Sequence, residues 1–278
     1  METSGSSELI SIITPVLNNA RDIRSCLLSV AEQTYTHKEH WIIDGGSTDG
    51  TLEIIRKFAQ KHKHIRWISE KDTGIYDAMN KGIDKAEGEW LYFLGSDDQL
   101  NGDNILEEVI SDPGFEEADL LYGNILLKES GVILGEAMNT ESLKWDCTHH
   151  QATFIRKSVF GKLGKYDTKY KICADWAFTI KCFYDKAIRT RYMDKIIAVY
   201  STVGFSNTGF GGNPRLRDKH FDADFFSLFA HFPVWERIRL RMDDYLPKYL
   251  NPVRYVNFLK RKVRKLISLI RGKLPIHQ

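Results

Sequence analysis

His40-Trp41-Ile42-Ile43-Asp44-Gly45-Gly46-Ser47-Thr48-Asp49-Gly50-Thr51, residues 40–51, changes structural period within a dozen positions. The apolar run 40–44 has the length of a buried strand and ends on a carboxylate. A glycine-rich turn follows, and Thr51 is placed to cap a helix whose Ile54, Ile55, Phe58 and Ala59 face inward. The same rhythm surrounds this stretch. Upstream, residues 9–14 form an apolar run that ends in Pro15 and the turn-forming pair Asn18-Asn19. Ile23, Leu27, Leu28 and Ala31 then share one helical face. Downstream, residues 65–69 lead to Glu70 and a helix with Ile75, Ala78, Met79, Gly82, Ile83 and Ala86 on its buried side. Residues 90–94 run into Gly95-Ser96-Asp97-Asp98. Strands apolar on both faces, alternating with amphipathic helices, predict an α/β fold with a mostly parallel central sheet flanked by helices.

Beyond residue 101 the rhythm loosens. Residues 120–127 and 132–134 read as a hairpin around Glu129-Ser130-Gly131. Residues 152–155, 188–192 and 196–200 read as strands, 174–184 as a helix and 201–214 as a Gly- and Asn-rich loop. We expect a catalytic-size domain over residues 1–220 and an amphipathic helical tail over 221–278.

The bulk numbers exclude several classes. With 42% hydrophobic and 27% charged residues, the chain has the composition of a folded globular protein and not a disordered one. Its four cysteines form no C-x-x-C pair, so their spacing predicts neither a disulfide framework nor a zinc site. No apolar run reaches the ~18 residues of a membrane span, and residues 1–8 lack the apolar region of a signal peptide. The net charge of +2 hides an asymmetry. Residues 251–278 hold eight basic and no acidic side chains, which leaves −6 for residues 1–250.

In an open α/β sheet, ligands bind beyond the carboxyl ends of the strands. Here four successive strand ends carry Thr14-Pro15, Asp44, Glu70 with Asp72, and Asp97-Asp98. One strand-end aspartate is an ordinary turn former. Five pooled carboxylates raise the free energy of the fold unless a cation or hydrogen-bond donors compensate them. Hard oxygen ligands with no thiolate or histidine cluster favour Mg²⁺ or Mn²⁺. No glycine-rich phosphate cradle follows the first strand, which weighs against a dehydrogenase, a kinase or a nucleotidyltransferase.

Residues 9 to about 205 resemble the family 2 glycosyltransferases, which have the nucleotide-diphospho-sugar fold called GT-A. The stretches that carry the resemblance are 12–18 (IITPVLN), 43–51 (IDGGSTDGT), 69–82 (SEKDTGIYDAMNKG), 93–98 (FLGSDD), 150–154 (HQATF) and 174–176 (ADW). The resemblance implies an inverting transfer of a sugar from a nucleotide-sugar donor, typically UDP-linked, to a hydroxyl acceptor. It places Thr14 and Pro15 at the base pocket, Asp44 on the base, and Glu70 and Asp72 on nucleotide and donor sugar. Asp97 falls at a ribose or sugar contact, Asp98 at the Mn²⁺ or Mg²⁺ ligand, and Asp175 at the catalytic base. Gly95 stands where many members carry Asn or Asp. His150 and Gln151, with Trp176, would line the acceptor side. Within that frame the rival readings are a non-catalytic sugar-nucleotide-binding module, the main one, and a nucleotidyltransferase on a related sheet.

In the tail, Val256, Phe258, Leu259, Val263, Leu266, Ile267, Ile270 and Leu274 interleave with the basic residues. That pattern suits an amphipathic helix on an anionic membrane surface. Aromatic stacking residues are too sparse among its cations for nucleic acid to be the expected partner. A cytoplasmic enzyme, peripheral on the inner face of the cell membrane and extending a glycan or glycolipid acceptor, is the expectation.

Overall fold

The computed structural model describes residues 8–144, 146–202, 224, 227 and 228. Apart from those residues, the expected loop 201–214, the 220/221 boundary and the basic tail lie outside the described residues.

The expected rhythm of the first hundred residues is present. Strands β1 (Ile10–Val16), β2 (Lys38–Asp44), β3 (Ile65–Ser69) and β4 (Trp90–Phe93) alternate with helices α1 (Ile23–Ala31), α2 (Thr51–Lys61) and α3 (Ile75–Lys85). The four strands lie side by side in the order β3-β2-β1-β4, all parallel. Every residue of β1 and β4 is buried, because helices cover both faces. On one face Ile10 and Ile12 join Cys26 and Val30 of α1. Val16 joins Ile23 and Leu27 of α1 and Ile55 and Phe58 of α2. Ile13 points to the other face, where α3 lies close enough that a side chain at Gly82 would collide with it.

Beyond β4 the sheet becomes mixed. Short β5 (Gln99–Leu100) and helix α4 (Ile105–Ile110) lead to β6 (Leu120–Leu127) and β7 (Ile133–Leu134), which form the expected hairpin. β8 (Thr153–Arg156), helix α5 (Lys157–Leu163), helix α6 (Ala174–Tyr184) and β9 (Thr190–Tyr200) complete the order. The full path is β3-β2-β1-β4-β8-β6-β9-β5, with β8 antiparallel to both β4 and β6. Two local expectations are corrected. The late strands 188–192 and 196–200 are one strand, β9, whose pairing with β6 shifts register around Tyr122 to Ile125. Thr51 is the first helical residue, with Gly50 at the cap position. The Asp49 carboxylate, two residues earlier, accepts from the Thr51 N–H at 3.0 Å and its hydroxyl at 2.5 Å, so the free N–H at the helix start is satisfied from just before the cap position.

Aromatic packing sets the position of α6. Phe93 of β4 meets Phe160 and Tyr166, and Phe178 of α6 stacks on Phe160 at 4.5 Å and meets Tyr166 edge-on at 5.4 Å. Tyr76 of α3 touches the same Tyr166. This cluster locks α3, α5 and α6 to one face of the sheet. Phe160→Ala should lower the free energy of unfolding by about 3–5 kcal/mol, read by urea denaturation. Phe160→Leu, which keeps much of the volume, should lose clearly less.

Candidate active site

The residues expected on the donor side lie at the carboxyl ends of β1 to β4. Asp44 ends β2 and is fully buried. Its carboxylate accepts from the Ser47 N–H at 3.2 Å and from the Ser69 hydroxyl, at the end of β3, at 2.6 Å. Gly45 follows because there is no room for anything larger: a Cβ there would run into the Asp72 carboxylate. That close approach brings Asp72 beside Asp44. Burial pushes the Asp72 pKa up, and the nearby Asp77 and Asp44 charges add to this against the Gly74 N–H and Lys81. Lys81, from α3, pairs with Glu70 at 2.9 Å, and the hydrogen bond and charge of Glu70 raise its pKa.

At the end of β1 the polar side chain turns into the core. Thr14 is fully buried, and its hydroxyl shares a 2.9 Å hydrogen bond with His40 Nε2 and faces Cys26 Sγ. Burial takes the His40 pKa down to about 3, so this imidazole stays neutral in the core. Thr14 therefore spends its polar group inside the sheet layer, and Pro15 beside it is also buried. The loop just after them does the linking. The Asn18 N–H donates to the Ser47 hydroxyl, the Thr48 N–H to Asn18 Oδ1, and Asn19 Nδ2 to the Ser96 hydroxyl at 2.9 Å. It ties the end of β2 to the turn after β4.

That turn holds Asp97 and Asp98. Asp98 is 2% exposed. One of its oxygens accepts the Ser201 N–H at 2.9 Å, just past β9, and the Gln151 side chain also hydrogen-bonds it. Burial, then the adjacent Asp97, raises the Asp98 pKa to about 7. Asp97 is raised too, by burial and then by Asp22. A Cβ on Gly95 would collide with the Asp98 carboxylate, so a third acidic side chain does not fit this turn as it is folded. Among the described residues no group of three or more His, Cys, Asp or Glu side chains forms a ready-made metal cage.

The residues expected on the acceptor side come next. His150 lies in a 3-10 turn, His150–Ala152, just before β8, which begins at Thr153, one residue later than expected. Its Nδ1 is 2.9 Å from Asp175 Oδ2. Asp175 sits in the first turn of α6, and its other oxygen accepts from the Tyr76 hydroxyl at 2.8 Å. Burial favours the neutral carboxyl, but the bonds from His150, Tyr76 and the Trp176 N–H outweigh it and hold Asp175 low. Burial likewise disfavours charge on His150, yet Asp175, Asp98 and Asp97 together raise its pKa. His150 thus feels both carboxylate groups at once. Trp176 is buried and donates its indole N–H to the Leu143 carbonyl, a packing role behind the site.

The sequence profile described as Glycosyl transferase family 2 matches residues 11–164. The chain belongs to glycosyl transferase family 2. A member from Mycobacterium bovis (strain BCG / Pasteur 1173P2), the PGL/p-HBAD biosynthesis glycosyltransferase, is 42% identical over 207 residues, covering 72% of this chain and 80% of its own. A second glycosyltransferase, from Mycobacterium tuberculosis, is 31% identical over 183 residues, covering 63% and 69%. Two solved structures share the fold. S. aureus TarS 1-349 in complex with UDP has a TM-score of 0.60 at 18% identity, covering 80% of this chain and 72% of that one. The mannosyltransferase PcManGT from Pyrobaculum calidifontis, in complex with GDP-Man and Mn2+, has a TM-score of 0.62 at 18% identity, covering 81% and 64%. The architecture is the GT-A fold expected for this glycosyltransferase family.

Three contributors were not singled out from the sequence. Tyr76 and Lys81 both lie inside the stretch 69–82, but only folding turns one toward Asp175 and the other toward Glu70. Ser201 acts through a backbone N–H, which no sequence motif marks. The Asp98 proton has a stability consequence. The folded chain holds it more tightly than the unfolded chain, so stability falls as pH climbs from the ordinary carboxylate range through about 7. In chelator, the melting temperature of Asp98→Asn minus that of the unsubstituted chain should therefore grow between pH 4.5 and 7.5, read by thermal melts.

Proposed function

We propose that this glycosyltransferase moves a sugar from a nucleoside-diphosphate sugar, UDP-linked, to a hydroxyl of a lipid-linked or surface glycan, inverting the anomeric centre. The observation that supports it best is the facing arrangement of two acidic groups at one end of the sheet. Asp97 and Asp98 have pKa values raised by burial, while across from them Asp175 is held low by His150 and Tyr76. One side is suited to receive a cation and a diphosphate, the other to manage a proton. The UDP of TarS and the GDP-Man of PcManGT favour the same donor class.

The residues fit a divalent metal. A buried carboxylate whose pKa is raised by an adjacent one, as Asp98 is by Asp97, is relieved by a cation. Mg²⁺ and Mn²⁺ sites commonly use one or two carboxylates and complete the shell with substrate phosphate and water. Asp98 would be the ligand, with one oxygen left over from the Ser201 N–H. Mn²⁺ or Mg²⁺ there supplies charge neutralisation to the diphosphate. In this reading Asp44 holds the base, Glu70 and Asp72 hold nucleotide and donor sugar, and Asp97 contacts ribose or sugar. Thr14 and Pro15 shape the base pocket from beneath, and Gln151 steadies Asp98. The acceptor oxygen attacks the anomeric carbon from the face opposite the leaving diphosphate, and loses its proton at the Asp175 end of the cleft. No helix among the described residues is long and apolar enough to cross a membrane. Residues 251–278 would bring the enzyme to the anionic inner face of the cell membrane through their eight basic side chains.

A thermal-shift screen against UDP-, GDP- and dTDP-sugars, with and without Mn²⁺, should select a UDP-sugar in the presence of metal. Asp175→Asn should then bind that donor normally and turn over ~10²–10⁴-fold more slowly. Turnover within a few-fold of the unsubstituted enzyme, or undiminished turnover in chelator, would overturn the corresponding assignment.

A further inference from the structure

On the reading that Asp175 takes the acceptor's proton, we infer that Tyr76 is the positioning residue of that step. Its one hydroxyl hydrogen is shared between the Asp175 carboxylate and the Ile172 carbonyl, and turns to the carbonyl once Asp175 is protonated. The inference starts from a count of hydrogens. The Tyr76 oxygen lies 2.8 Å from Asp175 Oδ1 and also within bonding distance of the Ile172 carbonyl. An ionised carboxylate and a carbonyl only accept, and a phenol has one O–H to give. Burial, then the Asp175 charge, push the Tyr76 pKa well above its usual range, so the hydrogen stays on the tyrosine. The two acceptors therefore compete for it.

What surrounds that hydrogen is held still. Tyr76 is buried, and its ring packs on Tyr166 at 5.7 Å. Asn80, one turn further along α3, fixes Tyr166 in turn: its Nδ2 donates to the Tyr166 carbonyl at 2.8 Å and its Oδ1 accepts the Tyr166 N–H at 3.0 Å. The competing carbonyl is anchored as well. Buried Asp224 accepts the Lys171 and Ile172 N–H groups at 2.6 Å each and the Cys173 N–H at 3.3 Å. With ring and carbonyl fixed, rotation about the phenol C–O bond is the freedom that remains. His150 occupies the other Asp175 oxygen, Oδ2, at 2.9 Å. A carboxylate offers about four lone-pair sites on its two oxygens, so these donors leave room for an incoming hydroxyl.

This arrangement suits a base that must be ionised before the step and neutral after it. A donor fixed on the carboxylate alone would orient it but also weaken it as a base. A donor with a second acceptor beside it orients the ionised form and leaves the protonated one without being stranded unpaired. The step balances. The acceptor O–H bond breaks and its proton goes to Asp175 as the oxygen bonds to the anomeric carbon. The bond from that carbon to the diphosphate oxygen breaks, and its electron pair leaves with the nucleoside diphosphate. The Tyr76 hydrogen never leaves its oxygen; only its partner changes. The other titratable groups that feel Asp175 are His149 and His150, Tyr166 and Cys173 before α6, and Cys147. Burial keeps His149, Tyr166 and both cysteines neutral, so of these His150 alone gains charge, and it is retained in every variant below.

The test is Tyr76→Phe, which keeps the ring and deletes the shared hydrogen. Release of UDP from a UDP-sugar, with water as the acceptor, gives kcat across pH, and UDP binding is measured in Mn²⁺. UDP binding should be unchanged and the plateau kcat lower by about tenfold. Losing a donor to the ionised form should displace the acid limb upward by about 1–2 pH units, the worth of one hydrogen bond to a charged group. A second measurement needs no turnover. Asp175, held low, stabilises the fold above the ordinary carboxylate range, and that stability is lost as pH falls through its folded-state value. The melting temperature of the unsubstituted chain minus that of Tyr76→Phe should therefore grow from about pH 4 to 6.5. It should stay flat when both chains also carry Asp175→Asn. A ring-fluorinated tyrosine at position 76, a stronger donor, should move the acid limb the other way, and takes the place of the Phe variant if that folds poorly. An unmoved acid limb in a folded variant, or a melting difference indifferent to pH, overturns the inference. Asp175→Asn separates this from failure of the base reading. Its turnover within a few-fold of the unsubstituted enzyme removes that reading, whereas a disabled Asp175→Asn beside an unmoved limb removes only the role of Tyr76.

Discussion

Two carboxylates side by side in a buried turn are an unfavourable thing to build, and the site is organised around that cost. Asp97 and Asp98 sit where the backbone leaves β4, with Asp98 almost wholly removed from water. Like charges so placed are tolerated only through partial protonation, nearby donors or a cation. Among the described residues the donors are few: the Ser201 N–H and the Gln151 amide on Asp98, and the backbone N–H of Asp97 on its own carboxylate. On the proposed reading, the rest of the compensation comes from a cation that binds together with the diphosphate.

The opposite bank is built on the reverse principle. Asp175 receives donors from His150, Tyr76 and its own helix, and needs no guest to be comfortable. What holds it there is hydrocarbon. Phe160, Phe178, Tyr166 and Phe93 fix α6 against the sheet, and Tyr76 belongs both to that packing and to the hydrogen bonds of Asp175. A site of this kind inherits its precision from ordinary core packing.

Most of the first half was legible in one dimension, since β1 to β4 and α1 to α3 announce themselves by period and by where each strand ends. The acidic strand ends likewise pointed to the cleft, because a parallel sheet puts all of those ends on one edge. The second half was harder to read for physical reasons. β5 has only two residues and α4 and α5 are short, so no period accumulates. β9 looked like two strands because its pairing with β6 slips midway. Thr14 was misleading in another way: its place at a strand end is right, but its hydroxyl turned inward to His40, a choice made by a residue 26 positions away.

Helix α3 carries Tyr76 near its start and Lys81 five residues on, about 7.5 Å along the axis at the usual rise. One side chain reaches Asp175 and the other Glu70, so a single stiff rod spans both. Any re-seating of that rod to admit a bulkier or slimmer sugar drags the tyrosine with it. If the proposed roles of Glu70 and Asp175 hold, choice of donor and tuning of the acceptor step are geared together through this helix.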